Sequence, residues 1–588
     1  MTSLFLFITI FFRFGQKSIE KPFLCVNLQM LTEKKQKHIM RTLFNFFVAA
    51  AFVTVILGCS ESTRGRQEYS SVKDSSTETG VVTTVTGKGA GYVENGIHIY
   101  KGIPYAKAER FSAPQKADSW EGIRSSRAYG PTAPQGKRTG WYSDEQAFVF
   151  DWNDGFPDED CLRVNIWSPG VNDGKKRPVM VWLHGGGYTA GSGQELPSYD
   201  GLSLAKSGDV VVVSLNHRLN VLGYLDLTSF GEKYADTGNL GMLDIIAALE
   251  WVRDNISAFG GDASNVTIFG QSGGGGKVST LLAAPSAQGL FHKAIVQSGS
   301  ILTNMTSEWS RKIGELTVKK LGLTAKTIDA IKTIPYEQLL AAGESAVAEV
   351  RKQATAAGFE PFLFGWTPVV DGKFLPTQLN TPEAINISKD IPLMVGSTQH
   401  EFMSSQYFPA LRAFDEAQAI EHLRKTRYGD RTEEYVEIFK RAYPDGNVLD
   451  LMETDYTFRP FVVEQASERT NRGNAPVYMY LFTWTSPVMD GIFRSTHCME
   501  IPFVFNNADL HASMTGGGPE AIELAEKMSG AWISFARTGN PNTDRLPEWQ
   551  PYSDEDGATM IFDNTCEMKY GHDRELVEFY RQFPPIRF

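Results

Sequence analysis

The sequence predicts an α/β fold, with a mostly parallel sheet wrapped by helices, and three observations predict it. Residues 178–183 (Pro-Val-Met-Val-Trp-Leu) and 210–215 (Val-Val-Val-Val-Ser-Leu) are near-continuous apolar runs, as central strands buried on both faces must be. Over residues 243–256 the period changes to that of a helix, with Leu243, Ile246, Ala247, Leu249, Trp251 and Val252 forming its apolar side. Buried strands alternating with helices imply a parallel sheet covered by helices. Finally, Val266-Thr267-Ile268-Phe269 runs straight into Gly270-Gln271-Ser272-Gly273-Gly274, and helix-like sequence follows from near Lys277. A serine between a strand and a helix sits on a sharp turn that lifts its hydroxyl clear of the sheet. Glycines on either side remove the side chains that would block that turn.

The N-terminal region reads as an address. Residues 43–57 are apolar except for Asn45 and Thr54, and Lys34, Lys35, Lys37 and Arg41 precede them. Such a run falls short of the roughly 20 residues that span a hydrocarbon core, so it reads as a signal-peptide core. It closes on Ile56-Leu57-Gly58-Cys59, which resembles a bacterial lipobox whose cysteine is lipidated after cleavage; plain secretion is the alternative. Met40-Arg41 makes a conventional signal start, which leaves residues 1–39, with their own apolar run at 4–12, as a spurious upstream extension. The targeting segment thus covers 1–58. Residues 59–80, rich in Ser, Thr, Glu and Arg, read as a flexible tether.

From residue 81 to residue 588 nothing resembles a linker, and a single large domain is expected. Residues 81–86 alternate as a strand and 87–91 turn; 164–167 form another strand. Residues 302–353 look helical and amphipathic and suit a cap over the sheet; a strand at 476–484 and a helix at 521–537 follow. With a net charge of −11 and no basic cluster in the globular part, a nucleic-acid partner is not expected. Five scattered cysteines make neither a disulfide scaffold nor a metal site, and no nucleotide-binding glycine fingerprint occurs. Neither metal nor cofactor is expected.

The strand at 178–183 ends in His184-Gly185-Gly186-Gly187-Tyr188. Glycines there expose backbone N–H groups, which the negative oxygen of a tetrahedral intermediate requires. The N–H groups of Gly186, Gly187 and Gly273 would form a three-donor oxyanion hole, with His184 in a structural role.

The chain resembles the type-B carboxylesterases of the carboxylesterase/cholinesterase branch of the α/β-hydrolases, here as a bacterial exported member. Segments carrying the resemblance include Glu159-Asp160-Cys161-Leu162, His184-Gly185-Gly186-Gly187, Asn216-His217-Arg218, Gly238-Asn239-Leu240-Gly241, Phe269-Gly270-Gln271-Ser272-Gly273-Gly274, Glu500-Ile501-Pro502-Phe503 and Arg537-Thr538-Gly539-Asn540-Pro541. The resemblance implies the α/β-hydrolase fold with helical cap insertions, ester hydrolysis through an acyl-enzyme, and a Ser-Glu-His triad. Carried over by position, the nucleophile is Ser272, the acid Glu401 and the base His497. Asp371, in a Val-Val-Asp-Gly context suited to a turn, is the competing carboxylate. The resemblance also implies ion pairs between Arg110 and Glu159 and between Arg218 and Asp244.

Three departures stand out against the family pattern. Gly-Gln-Ser-Gly-Gly replaces Gly-Glu-Ser-Ala-Gly, which puts the rigidity of that loop in question; Cys161 stands where secreted animal members carry half a disulfide, with no other cysteine between Cys59 and Cys161 to bridge that loop; and Cys498 replaces a glycine after the base, either packing or pairing with Cys566. Tyr188, Trp366 and Phe402 are candidates for pocket walls or core, and Trp152-Asn153 lies near the position of the cholinesterase choline-site tryptophan. A small ester is the expected substrate, and membrane contact is expected only through Cys59. The same triad also serves amides, lactones and thioesters, and the fold carries non-catalytic adhesion proteins that lack triad members.

Overall fold

The computed structural model describes residues 73–136, 143–153, 155–359 and 364–583. All of these belong to one compact unit, Val72–Phe588. The targeting segment and Cys59 lie outside the described residues.

A twelve-stranded sheet organises the unit. Its strands are β1 (Lys73–Asp74), β2 (Tyr92–Glu94), β3 (Ile97–Pro104), β4 (Arg163–Ser168), β5 (Arg177–Leu183), β6 (Val211–Leu215), β7 (Gly261–Gln271), β8 (Lys293–Gln297), β9 (Leu393–Thr398), β10 (Val477–Phe482), β11 (Ala558–Phe562) and β12 (Glu567–Tyr570). They lie in the order β1-β2-β3-β4-β6-β5-β7-β8-β9-β10-β11-β12. From β6 through β11 every neighbouring pair is parallel. Antiparallel strands flank this centre on both sides. This is the α/β-hydrolase fold that the sequence implied.

The period of two along a strand sorts its side chains between two cores. In β5, Val179, Val181 and Leu183 join the core on one face of the sheet, whereas Met180 and Trp182 join the core on the other. Helix α1 (Leu240–Asn255) contributes Ile245, Leu249 and Val252 to the first face, and α2 (Gly273–Leu282) contributes Val278 and Leu281. Between β8 and β9 the expected cap region holds α3 (Ser307–Lys320) and α4 (Tyr336–Ala356), which pack on each other. On the opposite face α5 (Pro519–Thr538) buries Leu524, Met528, Trp532 and Phe535.

Several expected boundaries move. The tether expected over 59–80 is too long, because Lys73 and Asp74 pair with Glu94 and Val93 and extend the sheet edge. Residues 87–91 are not simply a turn, since Lys88–Ala90 pairs with Val81–Thr83 in a separate small sheet. Helix α2 starts at Gly273 rather than near Lys277. Glycine is a poor helix former, so sequence pattern begins the helix at its first side chain, but packing against the sheet fixes the earlier turn.

Of the two anticipated ion pairs, Arg218–Asp244 is buried: Nη2 lies 2.7 Å from Oδ1 and Nε 2.8 Å from Oδ2, at 5 % and 0 % side-chain exposure. The Arg110–Glu159 pair also forms, but Glu159 is 39 % exposed, so this pair is not buried as Arg218–Asp244 is. Removing one partner of a buried pair strands the other charge in a poorly solvating interior. Asp244→Asn is predicted to lower unfolding free energy by about 3–5 kcal/mol in denaturant titration, and an unchanged midpoint would show the pair to be dispensable.

Candidate active site

Parallel sheets place the C-terminal ends of their strands on one edge, where ligand sites of open α/β sheets lie. Here the register aligns four such ends: Leu183 of β5 is opposite Gly270 of β7, Gln271 is opposite Gln297 of β8, and Gln297 is opposite Gly396 of β9. The chain leaves β5 into the His184–Tyr188 loop, β7 into Ser272 and β9 into Glu401. Thus the sheet alone gathers most of the predicted site.

Ser272 has φ 57° and ψ −126°, a conformation side chains rarely adopt. Its N–H donates to Gln297 O at 2.9 Å, and its carbonyl accepts from Gly276 N at 2.9 Å. The side chain is partly exposed and its hydroxyl forms no hydrogen bond among the described residues.

Glu401 and His497 meet. The Glu401 carboxylate bonds His497 Nδ1 through Oε2, while Oε1 accepts the Thr398 N–H at 3.0 Å. The His497 N–H in turn donates to Glu401 O at 3.0 Å. Gln271 Nε2 lies 3.3 Å from each imidazole nitrogen. Asp371, by contrast, accepts the N–H groups of Lys373 (2.9 Å) and Leu375 (3.0 Å) and the Asn239 amide (2.9 Å). It is a turn residue and does not contact His497.

The N–H of a trans peptide points opposite to the preceding carbonyl, so the carbonyl partners fix the donor directions. Gly185 O is bonded by His184 Nδ1 at 2.9 Å, and Gly186 O accepts from Thr189 N and Ala190 N at 3.2 and 3.1 Å. With Ser272 O tied into α2, the N–H groups of Gly186, Gly187 and Gly273 point away from these partners and have no acceptor among the described residues. A Cβ on Gly273 would stand 2.3 Å from Gly187 O and 2.5 Å from Gly187 N. The family's alanine therefore does not fit here, and glycine is what lets the two loops close on each other.

Two other departures meet in the structure. Cys498 has φ 72°, which suits the glycine it replaces, and its Sγ donates to Gln271 Oε1 at 3.2 Å. Cys161, Cys498 and Cys566 are all free thiols, so the Cys498–Cys566 pairing does not form.

Sequence reading missed several neighbours. Phe458 stacks on His497 with ring centroids 5.6 Å apart; it joins Phe402, already a pocket-wall candidate, which lies 4.4 Å from the imidazole at 37 % exposure. Tyr188 and Trp366 belong to the core instead. His400 bridges Ser495 Oγ (2.8 Å) and Asp450 Oδ1 (2.9 Å), tying the loop of Glu401 to that of His497. Burial, and then the charge of Glu401, pushes Asp455 up to about 6 and Glu500 up to about 7. Trp152 and Asn153 line a cavity of about 650 Å³ with Lys101, Tyr129 and Gln194, which shares no lining residue with the Ser272 site. No group of metal-binding side chains occurs among the described residues.

Fold and site together define an α/β-hydrolase with a serine elbow. The carboxylesterase family model matches residues 76–580, and the chain belongs to the carboxylesterase family. It is 37 % identical over 516 residues to a para-nitrobenzyl esterase of Bacillus subtilis, covering 86 % of this chain and 98 % of the relative. It is 33 % identical to a phenmedipham hydrolase of Pseudarthrobacter oxydans, covering 82 % and 94 %. Among solved structures, an esterase from anaerobic Clostridium hathewayi that hydrolyses aliphatic aromatic polyesters superposes with a TM-score of 0.76 at 37 % identity, covering 87 % of this chain and all of that one. The protein is an enzyme, a carboxylic ester hydrolase.

The acid assignment carries a direct test. Glu401→Gln should lower kcat by about 10⁴, as loss of the orienting carboxylate does in other serine hydrolases. Asp371→Asn should shift the melting temperature and leave kcat within a few fold. Steady-state kinetics of both variants with a nitrophenyl ester would decide, and a slow Asp371→Asn beside a normal Glu401→Gln would reverse the assignment.

Proposed function

We propose that this carboxylesterase works through an acyl-enzyme on Ser272, with His497 as base and Glu401 as the orienting acid. The supporting observations are the Glu401 carboxylate on His497 Nδ1, the contact of that imidazole with Gln271, and the elbow that holds the next residue, Ser272. With Nδ1 committed to Glu401, Nε2 takes the proton as Ser272 Oγ attacks the ester carbonyl. The carbonyl oxygen gains negative charge and is received by the N–H groups of Gly186, Gly187 and Gly273. As the intermediate collapses, His497 returns the proton to the leaving alcohol. Water then attacks the acyl-enzyme by the same route and releases the acid. Phe402 and Phe458 give the alcohol or acyl group an apolar surface beside the base, which favours esters with a hydrophobic or aromatic arm, in keeping with the aromatic names of the relatives.

The enzyme acts outside the cytoplasm in this reading, anchored through lipid on Cys59. The apolar run at 43–57 behind basic residues supports export, and the Leu57-Gly58-Cys59 ending supports lipidation. Two or more acyl chains give stable anchoring where one is marginal.

Ser272→Ala should remove ester turnover, by about 10⁶, without changing the circular dichroism spectrum. An organophosphate should add its mass to the Ser272 peptide of the wild type, and labelling at Ser298 instead would refute the nucleophile. Cys59→Ser should move the esterase from the membrane to the soluble fraction or leave the precursor unprocessed, whereas an unmodified mature N-terminus elsewhere in the wild type would refute anchoring.

A further inference from the structure

Lys277, on the fifth residue of α2, is fully buried. Its Nζ lies 2.8 Å from His184 O, 2.9 Å from Gly187 O and 3.5 Å from Gly185 O. An ammonium has three donors and no acceptor, and here three main-chain carbonyls of one loop surround it. Glu195, the carboxylate whose charge favours the ammonium, is itself occupied by the Ser192 N–H (2.6 Å) and the Tyr199 hydroxyl (3.1 Å). Burying a cation without a contacting carboxylate is expensive. A neutral side chain would fill the same space, so the charge itself calls for a role.

The position of the carbonyls supplies one. We propose that Lys277 is a positioning residue for the esterase reaction, whose ammonium clamps the oxyanion loop by its carbonyls so that the Gly186 N–H faces the attacked ester, while the Thr189 and Ala190 N–H groups on Gly186 O set the Gly187 N–H. This rests on the catalytic reading of Ser272 given above. Holding Gly185 O on the α2 side directs the Gly186 N–H to the opposite side of that peptide. Holding His184 O and Gly187 O fixes both ends of the glycine run. A cation on the oxygen of a peptide also polarises its N–H and makes it a stronger donor. The clamp answers the loss of rigidity that the glycine-rich elbow would bring: Gly273 lets the loop approach, and Lys277 keeps it there.

The charge also carries a pH signature. Burial lowers Lys277 to about 7, opposed by Glu195. His184 and His217, stacked 5.0 Å apart, are held neutral chiefly by burial, and burial raises the Tyr188 phenol, whose ring is 5.6 Å from Nζ. Lys277 is thus the group of this cluster that changes charge near neutrality. Its three-donor form is held well below pH 7 and is lost as the pH rises through about 7.

The test uses the purified full-length enzyme, with competent serines counted by exhaustive phosphonate labelling. In Lys277→Met, kcat per labelled serine should fall by about 10²–10³, the scale of a lost oxyanion donor, with KM within about threefold. Lys277→Gln, which retains N–H donors without charge, should recover at least tenfold of that loss. The alkaline fall in wild-type kcat should vanish from Lys277→Met. Wild-type kcat per serine in either folded variant, or an alkaline limb unchanged in Lys277→Met, would overturn the proposal. If Lys277→Met does not fold, Lys277→Gln decides alone, by a kcat below wild type at unchanged KM. A wild type that neither turns over esters nor labels at Ser272 would instead refute the catalytic reading.

Discussion

At the end of β7 the chain turns into α2 while the first turn of that helix lies against the last carbonyls of β5. A Cβ on Gly274 would stand 1.9 Å from Leu183 O, and one on Gly270 would stand 2.6 Å from it. This close approach forces the backbone of Ser272 into its strained conformation, a cost on the order of 1–3 kcal/mol. The parallel ladder on both sides of β7 and the buried face of α2 hold that strain in place. The same contact brings the first N–H of the helix, at Gly273, beside the N–H groups that follow Leu183. The proposed nucleophile and the proposed oxyanion donors are therefore consequences of one packing arrangement.

The remaining machinery hangs from strands on the far side of β8. Glu401 follows β9, and His497 sits in a loop after β10, joined to the acid by side chain and backbone alike. His400 and Ser495, the residues next to Glu401 and two before His497, add a second buried tie. Asp455 and Glu500 are pushed towards the protonated form by burial and by Glu401, which limits the repulsion around the acid. The imidazole lies against Phe402 and Phe458, which give it apolar surface.

Much of this was legible in the sequence, for stated physical reasons. Continuous apolar runs marked β5 and β6 because strands covered on both faces cannot alternate. The serine elbow was legible because a strand, glycines and a helix leave one geometry for the residue between them. The assignments of Glu401 and His497 came from the family resemblance, since neither has a local pattern of its own. Long-range packing was not legible. The meeting of Cys498 with Gln271 joins residues 227 apart, and the contact of Lys277 with the loop after β5 spans about ninety. Short edge pairing at Lys73–Asp74 also escaped, because two exposed polar residues carry no strand period. Helix α2 hid its first turn behind glycines that the sheet contact, and not propensity, makes helical.

The central claim is that the sheet delivers three N–H groups to one point beside Ser272. A crystal structure of the enzyme inactivated with a phosphonate ester measures this directly, because the phosphonyl oxygen stands where the oxyanion would. It should be bonded to Ser272 Oγ through phosphorus, with that oxygen within about 3.1 Å of the Gly186, Gly187 and Gly273 nitrogens and His497 Nε2 facing the departed group. A phosphonyl oxygen turned to solvent, or held by side chains while the three N–H groups stay empty, would contradict the account.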